Sequence, residues 1–588
     1  MVGSAGLACG TLRLSALFGV LGLHLLSGGR LYCYTRDMEE RIRKAIEGVL
    51  ADMGVSGGIF VVERPTDTVY GDYATNAALA VAKILGRNPR ELADELARRL
   101  LDVLGDSLVS HVAVAGPGFV NITLSREAVT LALAEADAKG TEWGRETIPV
   151  AQRVMIEYTD PNPFKEMHIG HLMSNVIGES LARLIENEGK TVIRANYQGD
   201  VGPHVAKALW GLQKAGITEP ATARELGEAY ATGSRAYEES LDAKAEIDAL
   251  NQAIYAGGMH ELMELWRKGR DVSLAAFEQV YTVLGTHFDY YFFESETAAS
   301  GMRIVRDGLN RGVFEESDGA VIYRGEKKGL HTLVFITSKG TPTYEAKDMG
   351  LAFLKEERAQ FDRSIIVTAA EQIGHFKVFF AALEEMAPML AAKTTHVPHG
   401  FLRLTSGKMS SREGNVITAA GLIEDVVAKA SEKNADPLVA EHVALGAIKY
   451  MVLRQAPGSD IIFDPEKSLS LEGDSGPYLH YAPVRAKSVI SAAAESGATT
   501  AGAPASPYLL ERSLVHFPDV VARAARELAP NLLVTYLTEL AGEWNSFYAQ
   551  ERIVGGEYET HKLMLARAFV NTMSNGLMLL GIPTPERM

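Results

Sequence analysis

The sequence predicts an α/β chain of several domains, in which a parallel-sheet core with a helical insertion stands between a small α/β domain and a C-terminal α-helical bundle. Three observations support this class. The 588 residues exceed what one core usually holds, at roughly 100–200 residues per domain. Residues 154–158 and 191–193 are apolar strand patterns that flank a helical pattern over residues 172–185. Finally, residues 507–588 show helical spacing throughout.

The order strand, long helix, strand is a βαβ unit, which favours a parallel sheet. We expect a small α/β domain over residues 38–147, with a strand at 58–62, helices in 76–104 and a hairpin in 112–124 around Gly116-Pro117-Gly118. The core is predicted over residues 148–417, with its helical insertion ending near 285 and a buried strand at 363–368. A helical connecting region over 418–465 and a helical domain over 466–588 follow, with a long flexible loop at 491–506.

The composition is that of an ordinary folded protein. Hydrophobic residues make up 47% and charged residues 22% of the chain, which excludes a disordered, collagenous or multi-spanning membrane protein. The two cysteines, Cys9 and Cys33, are too few for a disulfide framework or a Cys-rich zinc site and favour a reducing compartment. The formal charge of −16 argues weakly against nonspecific nucleic-acid binding, but a local basic surface remains compatible with it.

Residues 1–37 differ from the rest of the chain. The first 36 contain no acidic residue, and residues 14–26 form an apolar run with the length of a signal-peptide core. The segment is interpreted as a secretory signal, an organelle presequence or a translated stretch upstream of a start at Met38. We favour the third interpretation, because the remainder has the character of a cytoplasmic enzyme.

A candidate phosphate site follows the first strand of the core. Lys165 precedes the segment His168-Ile169-Gly170-His171, and the long helix begins there. A helix N-terminus offers free N–H groups to an anion, and histidines three residues apart can face the same ligand. Two surface histidines at a helix cap are the commoner meaning of such a short motif. The position between a strand and a helix favours the phosphate site.

A second segment, Gly407-Lys408-Met409-Ser410-Ser411, would by itself be taken for a solvated loop. In this order and separation, the two segments together resemble the paired signatures of class I aminoacyl-tRNA synthetases. The resemblance implies a Rossmann-type core that binds ATP with its accompanying Mg²⁺ and without zinc. It assigns ATP binding to His168, Gly170, His171, Lys408, Met409, Ser410 and Ser411, and catalysis to His168, His171, Lys408 and Lys165.

Further segments resemble the arginyl-tRNA synthetases in particular. They are residues 71–76, 116–121, 157–162, 476–482 and 581–588. By this resemblance, L-arginine would be held by Glu157, Asn162, His171, Glu294, Tyr344, Asp348 and Gln372. A guanidinium group is well matched by such carboxylates, because its five donors form a planar fork. The alternative for Glu294, Tyr344 and Asp348 is that they are ordinary polar residues on an exposed helix surface.

The same resemblance implies that an N-terminal domain contacts the tRNA elbow and a C-terminal domain the anticodon. The candidate residues are Tyr73, Asn76, Phe119 and Asn121 in the first domain, and Tyr478, Tyr481, Arg485, Trp544 and Tyr548 in the second. Aromatic and amide groups of this kind can stack on or read unpaired bases. For Phe119, packing in the core is an equally good expectation.

The expected activity is therefore that of an arginine–tRNA ligase, monomeric and without a membrane partner. Many family members lack the lysine of the second signature, whereas this chain has both Lys165 and Lys408. How strictly arginine activation needs tRNA is left open by that difference. Two alternatives remain: a nucleotidyltransferase of the same fold that activates another carboxylate, and a catalytically silent RNA-binding relative.

Overall fold

The computed structural model describes residues 38–57, 59–404, 417–471, 473–496 and 500–586. Its N-terminal domain is a four-stranded antiparallel sheet of order β1-β2-β4-β3 covered by helices. The strands are β1 (Val62–Glu63), β2 (Tyr73–Thr75), β3 (Val109–Ala115) and β4 (Phe119–Leu124), and the helices are α1 (Met38–Asp52), α2 (Ala77–Leu85), α3 (Pro89–Leu104) and α4 (Arg126–Lys139).

The predicted hairpin in residues 112–124 is confirmed by the pairing of β3 with β4. Of the predicted strand at 58–62, only Val62 belongs to a strand; residues 59–61 do not, and residue 58 lies outside the described residues. Ile59 is 97% exposed and the amide of Val61 donates to the side chain of Asn76 at 2.9 Å. This backbone therefore bonds to a side chain instead of a neighbouring strand.

The core domain contains a five-stranded parallel sheet of order β12-β11-β5-β6-β7. Its strands are β5 (Arg153–Glu157), β6 (Thr191–Gln198), β7 (Tyr290–Phe293), β11 (Arg363–Ala369) and β12 (Thr394–His399). Helix α5 (Ile169–Asn187) connects β5 to β6, so the predicted βαβ unit is confirmed. The strand order reverses between β5 and β11, and ligands of open α/β sheets bind at the carboxyl ends of strands at such a point.

The helical insertion lies between β6 and β7, as predicted. It comprises α6 (Pro203–Lys214), α7 (Ala223–Glu239), α8 (Leu241–Tyr255) and α9 (His260–Leu284). These helices share a hydrophobic cluster into which Phe164, from the loop after β5, inserts its fully buried ring. The insertion is thereby packed against the loop that leads to α5.

Between β7 and β12 the chain adds helices and a small sheet, and the sequence did not predict the small sheet. The helices are α10 (Glu294–Asn310), α11 (Tyr344–Ala359), α12 (Ile373–Met386) and α13 (Pro388–Ala392). The antiparallel strands β8 (Glu315–Ser317), β9 (Ala320–Tyr323) and β10 (Leu333–Ile336) form the small sheet. Both helices α10 and α11 pack beside this sheet in one hydrophobic cluster.

The remainder of the described chain is helical, as predicted, apart from the parallel pair β13 (Leu402–Leu404) and β14 (Ile461–Phe463). Its helices are α14 (Ala419–Ser431), α15 (Pro437–Leu453), α16 (Pro465–Ser468), α17 (Gly476–Ser496), α18 (Leu509–Val515), α19 (Phe517–Glu527), α20 (Pro530–Gln550) and α21 (Glu559–Leu579). The predicted loop at 491–506 is wrong over residues 491–496, because α17 continues to Ser496, and residues 497–499 lie outside the described residues.

The N-terminal domain packs directly on the C-terminal helices. Asp72 accepts a hydrogen bond from Arg512 at 2.6 Å, and Asp137 forms a two-nitrogen ion pair with Arg567, with one contact of 2.7 Å. The buried Trp143 donates its indole N–H to Thr572 at 3.0 Å. The first and last domains of the chain are therefore joined by buried and half-buried polar contacts.

Candidate active site and RNA surfaces

The loop after β5 has an unusual backbone. Thr159, Asp160 and Phe164 all have positive φ angles, of 78°, 45° and 67°, which non-glycine residues rarely adopt and which cluster at functional sites. The Asp160 carboxylate accepts a hydrogen bond from the Tyr197 amide at 2.8 Å, and the Phe164 amide donates to Ser273 at 2.9 Å. Contacts from β6 and from the insertion thus hold the loop in this shape.

The two histidines of the first signature form the cap of α5. The His168 Nδ1 accepts from the Gly170 amide at 3.1 Å, the His171 Nδ1 accepts from the His168 amide at 3.2 Å, and the rings stack with their centroids 3.7 Å apart. Burial, together with the nearby Lys165, lowers the pKa of both histidines. Because each Nδ1 is an acceptor in a neutral ring, each Nε2 carries a proton that it can donate to a ligand.

Gly170 permits this close cap. A Cβ at this position would lie 2.9 Å from Cε1 of His168, so a larger residue would displace the imidazole. The ammonium group of Lys165 rests over the ring of Tyr230, 4.5 Å from its centroid. Tyr230 belongs to α7 of the insertion, which therefore helps to define where Lys165 lies.

The second signature, Lys408, Met409, Ser410 and Ser411, lies outside the described residues. The described chain resumes beside the first signature. The Ile169 amide donates to the Ile417 carbonyl at 3.1 Å, and His168 forms a β-bridge with Thr418. The residue nine positions after Lys408 is thus in contact with the start of α5.

A cavity of about 520 Å³ opens beside the carboxyl end of β5. Six of the seven residues predicted to bind arginine line it, although they come from widely separated parts of the sequence: Glu157, Asn162, Glu294, Tyr344, Asp348 and Gln372. The seventh, His171, does not line it. The loop after β5 connects the cavity to the histidine pair, because Asn162 lines the cavity and His168, six positions later, caps α5.

The cavity wall is acidic. Besides Glu157, Glu294 and Asp348, the carboxylates of Asp160 and Glu345 line it. Burial raises the pKa of Glu294 to about 7 even though Lys347 opposes the shift. Burial and the neighbouring Glu157 also raise the pKa of Asp160 well above its ordinary value. So high a density of carboxylates favours a cationic ligand.

Protein cations hold three of these carboxylates in place. Lys355 contacts Glu157 at 2.8 Å, Lys347 is paired with Glu294, and the His375 Nε2 lies 2.7 Å from Asp348. The sequence interpretation missed all three cations. Lys347 and Lys355 were recoverable, because positions 344, 347, 348, 351 and 355 share one face of a helix. For His375 the one sequence signal was its position three residues after Gln372, which was itself predicted to bind arginine.

The C-terminal domain presents a cation–aromatic cluster. The Arg485 guanidinium lies 4.4 Å from the ring centroid of Tyr548 and 5.4 Å from that of Tyr481, and both tyrosines are more than one-third exposed. The hydroxyl of Tyr478 accepts from Asn545 at 3.1 Å. Exposed rings beside a guanidinium can stack on unpaired bases.

Two predicted RNA contacts need correction. Trp544 is 0% exposed and stacks on Phe569 at 4.7 Å between centroids, so it belongs to the core of the helical domain. Tyr73 is 2% exposed and donates its hydroxyl to Asp519 at 2.6 Å, so it joins the first domain to the last. Both rings are large and apolar, and burial in the protein competes with RNA binding for such residues.

The other N-terminal candidates are more accessible. Phe119 is 40% exposed on β4, and Asn121, on the same strand, is half-buried. Asn76 is also half-buried, and its side chain accepts from the Val61 amide.

Across the part of the chain that the structure describes, no helix combines the length and the apolar character needed to cross a bilayer. Among those described residues, no three His, Cys, Asp or Glu side chains are grouped so that they could hold a metal ion.

Comparisons with known proteins agree with this architecture. Residues 134–465 match the family of class I (R) tRNA synthetase catalytic domains, residues 37–124 the arginyl-tRNA synthetase N-terminal domain, and residues 479–588 the DALR anticodon-binding domain. The arginine–tRNA ligase of Treponema pallidum is 31% identical over 94% of this chain and 100% of its own. That of Treponema denticola is 30% identical, covering 90% of this chain and 94% of its own.

A solved structure also shows similarity to an arginyl-tRNA synthetase. The arginyl-tRNA synthetase of Thermus thermophilus superimposes with a TM-score of 0.77 at 27% identity, covering 94% of this chain and all of its own. With the family match extending over more than half of the chain, this chain belongs to the arginyl-tRNA synthetase family, the class I arginine–tRNA ligases.

Proposed function

We propose that this chain attaches L-arginine to tRNA(Arg) in two steps at the site between the histidine pair and the acidic cavity. In the first step, the arginine carboxylate attacks the α-phosphorus of MgATP, so that arginyl-adenylate forms and pyrophosphate leaves. In the second, a hydroxyl of the terminal adenosine of the tRNA attacks the arginyl carbonyl and AMP leaves. The protein contributes by positioning the reactants and neutralising charge.

Phosphate binding is assigned to the start of α5. Two neutral histidines that share one helix cap can direct their Nε2–H donors to phosphate oxygens, and the helix N-terminus adds its partial positive charge. Lys165 is close enough to lower the pKa of both rings, and we assign it to the same phosphates. Lys408 to Ser411 are proposed to complete the ATP site, as the family resemblance implies.

Arginine binding is assigned to the acidic cavity. Glu294, Tyr344 and Asp348 are proposed to take the guanidinium, Asn162 and Gln372 the α-amino end, and Glu157 to order the loop. One observation carries this proposal: these six residues, spread over more than 200 positions of sequence, line a single cavity. His171 is proposed to act at the phosphate end of the bound arginine.

For tRNA, residues 38–147 are assigned to the elbow, 418–465 to contact with a stem and 466–588 to the anticodon. The exposed cluster Tyr481, Arg485 and Tyr548, with Tyr478 beside it, is the proposed base-stacking surface, and Phe119, Asn121 and Asn76 are the N-terminal candidates. We expect a monomeric cytoplasmic enzyme.

The arginine site is tested by removing one buried ion pair. The variant E294Q/K347M replaces both members, so that no unpaired charge is left in the wall. Loss of a charged hydrogen bond of about 1.5–3 kcal/mol predicts a rise of about 10- to 150-fold in the KM for arginine. The KM for ATP should stay within about twofold. ATP–pyrophosphate exchange in the presence of tRNA measures both constants.

A matched control lies on the same two helices. Glu296 and Arg358 form an exposed pair between α10 and α11 at 3.0 Å, and the variant E296Q/R358M should leave both KM values unchanged. Equal effects of the two double variants would refute the assignment of the cavity. A charging assay with arginine, ATP and total tRNA separates the ligase from the alternatives: a nucleotidyltransferase would form no arginyl-tRNA, and a silent relative would release no pyrophosphate.

A further inference from the structure

His375 stands out among the residues that line the acidic cavity, because it is in contact with two carboxylates of its wall. Its Nε2 lies 2.7 Å from Asp348 Oδ2, and its Nδ1 lies 3.4 Å from Glu345 Oε1. The side chain is only 15% exposed. One imidazole on α12 therefore bridges two acidic residues that are three positions apart on α11.

Aromatic contacts fix the ring in this position. Phe379 lies parallel to it, with centroids 6.3 Å apart, and Phe376 meets it edge-on at 5.2 Å. Because both phenylalanines belong to α12 and are buried in the hydrophobic cluster, the ring is supported from its own helix. The orientation of the imidazole is thus set before any ligand arrives.

The charges around the ring favour the imidazolium. Burial disfavours it, but Asp348 and Glu345 outweigh burial and raise the pKa of His375 to about 10. The titratable group on the strand side is His396, whose pKa is lowered to about 4 by burial and by His375, so it stays neutral. Both ring nitrogens of His375 are then donors, one for each carboxylate.

The geometry therefore points to His375 as a positioning residue for arginine recognition. Its Nε2 binds Oδ2 of Asp348, and its Nδ1 is held by Glu345. In this position Oδ1 of Asp348 faces the guanidinium of arginine. The inference rests on the proposed arginine site. In this inference His375 holds Asp348 in place, as Lys355 holds Glu157 and Lys347 holds Glu294. Without the donor, the carboxylate would be free to turn about its terminal torsion, and the planar fork of the guanidinium would lose a fixed partner.

Three variants separate the two ring nitrogens. In H375Q the amide nitrogen can reach the place of Nε2 and donate to Asp348. In H375N the shorter amide reaches only the place of Nδ1, towards Glu345. H375L removes both donors and keeps the bulk. We expect H375L and H375N to raise the KM for arginine about 10- to 30-fold and H375Q to raise it less than about threefold.

A role limited to stability would not produce this pattern. In ATP–pyrophosphate exchange with tRNA present, kcat and the KM for ATP should remain within about threefold of the parent in all three variants, because binding of arginine alone is affected. A parent-like KM for arginine in H375L would overturn the inference, as would rescue by H375N instead of H375Q. A parallel rise in the KM for ATP would also overturn it.

The D348N variant separates this inference from the assignment of the site. If D348N raises the KM for arginine and H375L does not, only the inference about His375 is wrong. If neither variant changes that KM, the arginine site itself is misassigned and the inference falls with it.

Discussion

The substitution D348N tests the charge of the proposed arginine site with the smallest change of shape. Asp348 lines the cavity and its side chain is 20% exposed. Asparagine has nearly the same volume and retains one carbonyl oxygen. The variant therefore removes a negative charge and leaves the wall filled.

The expected magnitude follows from burial. Truncating one partner of a buried, hydrogen-bonded charge pair costs about 2–5 kcal/mol. Because a fifth of the Asp348 side chain is exposed, solvent screens the pair, and we take the lower part of the range, about 2–3.5 kcal/mol. At about 1.4 kcal/mol for each factor of ten, the KM for arginine should rise about 30- to 300-fold.

Citrulline makes the assay specific for charge. It has the shape of arginine but a neutral urea group, so it has no ion pair with Asp348 to lose. We measure its inhibition constant in the exchange reaction for the parent enzyme, for D348N and for E357Q, a control at an exposed position of the same helix. In D348N the inhibition constant for citrulline should change by less than about threefold. In E357Q neither this constant nor the KM for arginine should change.

The decisive quantity is the ratio of arginine to citrulline binding, which should fall by the same factor of about 30 to 300. If D348N weakens both ligands equally, the substitution has damaged the cavity and the ion-pair reasoning is wrong. If it weakens neither, the guanidinium lies elsewhere.

Three further outcomes are expected. R485A should raise the KM for tRNA at least about fivefold in charging assays, since stacking contributes about 1–3 kcal/mol per base. K487A, on the same helix, should leave this KM unchanged. Equal effects of the two variants would refute the proposed stacking surface. Because the pKa of both His168 and His171 is lowered from 6.5, the exchange rate should be flat from about pH 8 to 6.5 and fall only below; a fall already above pH 7 would contradict neutral histidines. Burial lowers the pKa of His516 to about 3 from an ordinary 6.5, so its contribution to stability is present above pH 6.5 and is lost as the pH falls towards 3. At pH 5.5 the loss is about 1.4 kcal/mol, and H516Q should show a smaller drop in melting temperature from pH 7.5 to 5.5 than the parent; an unchanged drop would contradict it.

The sequence predicted the parts of the fold that repeat one local pattern. The unit β5–α5–β6 was predictable because β5 contains the apolar run 154–156, β6 begins with the residues 191–193 that favour a strand, and α5 carries apolar residues at helical spacing. The small sheet β8–β10 was not, because its strands are only three or four residues long, and so short a run shows no clear alternation. The strand predicted at 58–62 failed over residues 59–61 for a different reason: the run is apolar, but the Val61 amide donates to the side chain of Asn76 and only Val62 pairs with β2.

Site residues were predictable from the sequence where they share a motif or a helix face. They were not predictable where the fold brings separate segments of the chain together. Tyr344 and Asp348 are four apart on α11, which makes them neighbours in any helix. His375 reaches Asp348 from a different helix, 27 positions later, and no local pattern encodes that contact. Trp544 shows the limit for RNA surfaces, because an aromatic residue in a helical domain fits a core position and a base-stacking position equally well.

The contacts between the N-terminal domain and the C-terminal helical domain determine what happens when the N-terminal domain is removed. Glu511 and His516 are buried partly by residues that precede the core in sequence: Arg126 pairs with Glu511, and Tyr73 covers His516 at 4.8 Å between ring centroids. Removing residues 38–147 would take Arg126 away from Glu511, whose remaining contact is His561 at 2.6 Å. It would also uncover the imidazole of His516 by removing Tyr73. The shortened chain should therefore lose stability in its helical domain as well as the N-terminal domain itself. The N-terminal domain and the C-terminal helical domain are therefore expected to act as one rigid body when tRNA binds.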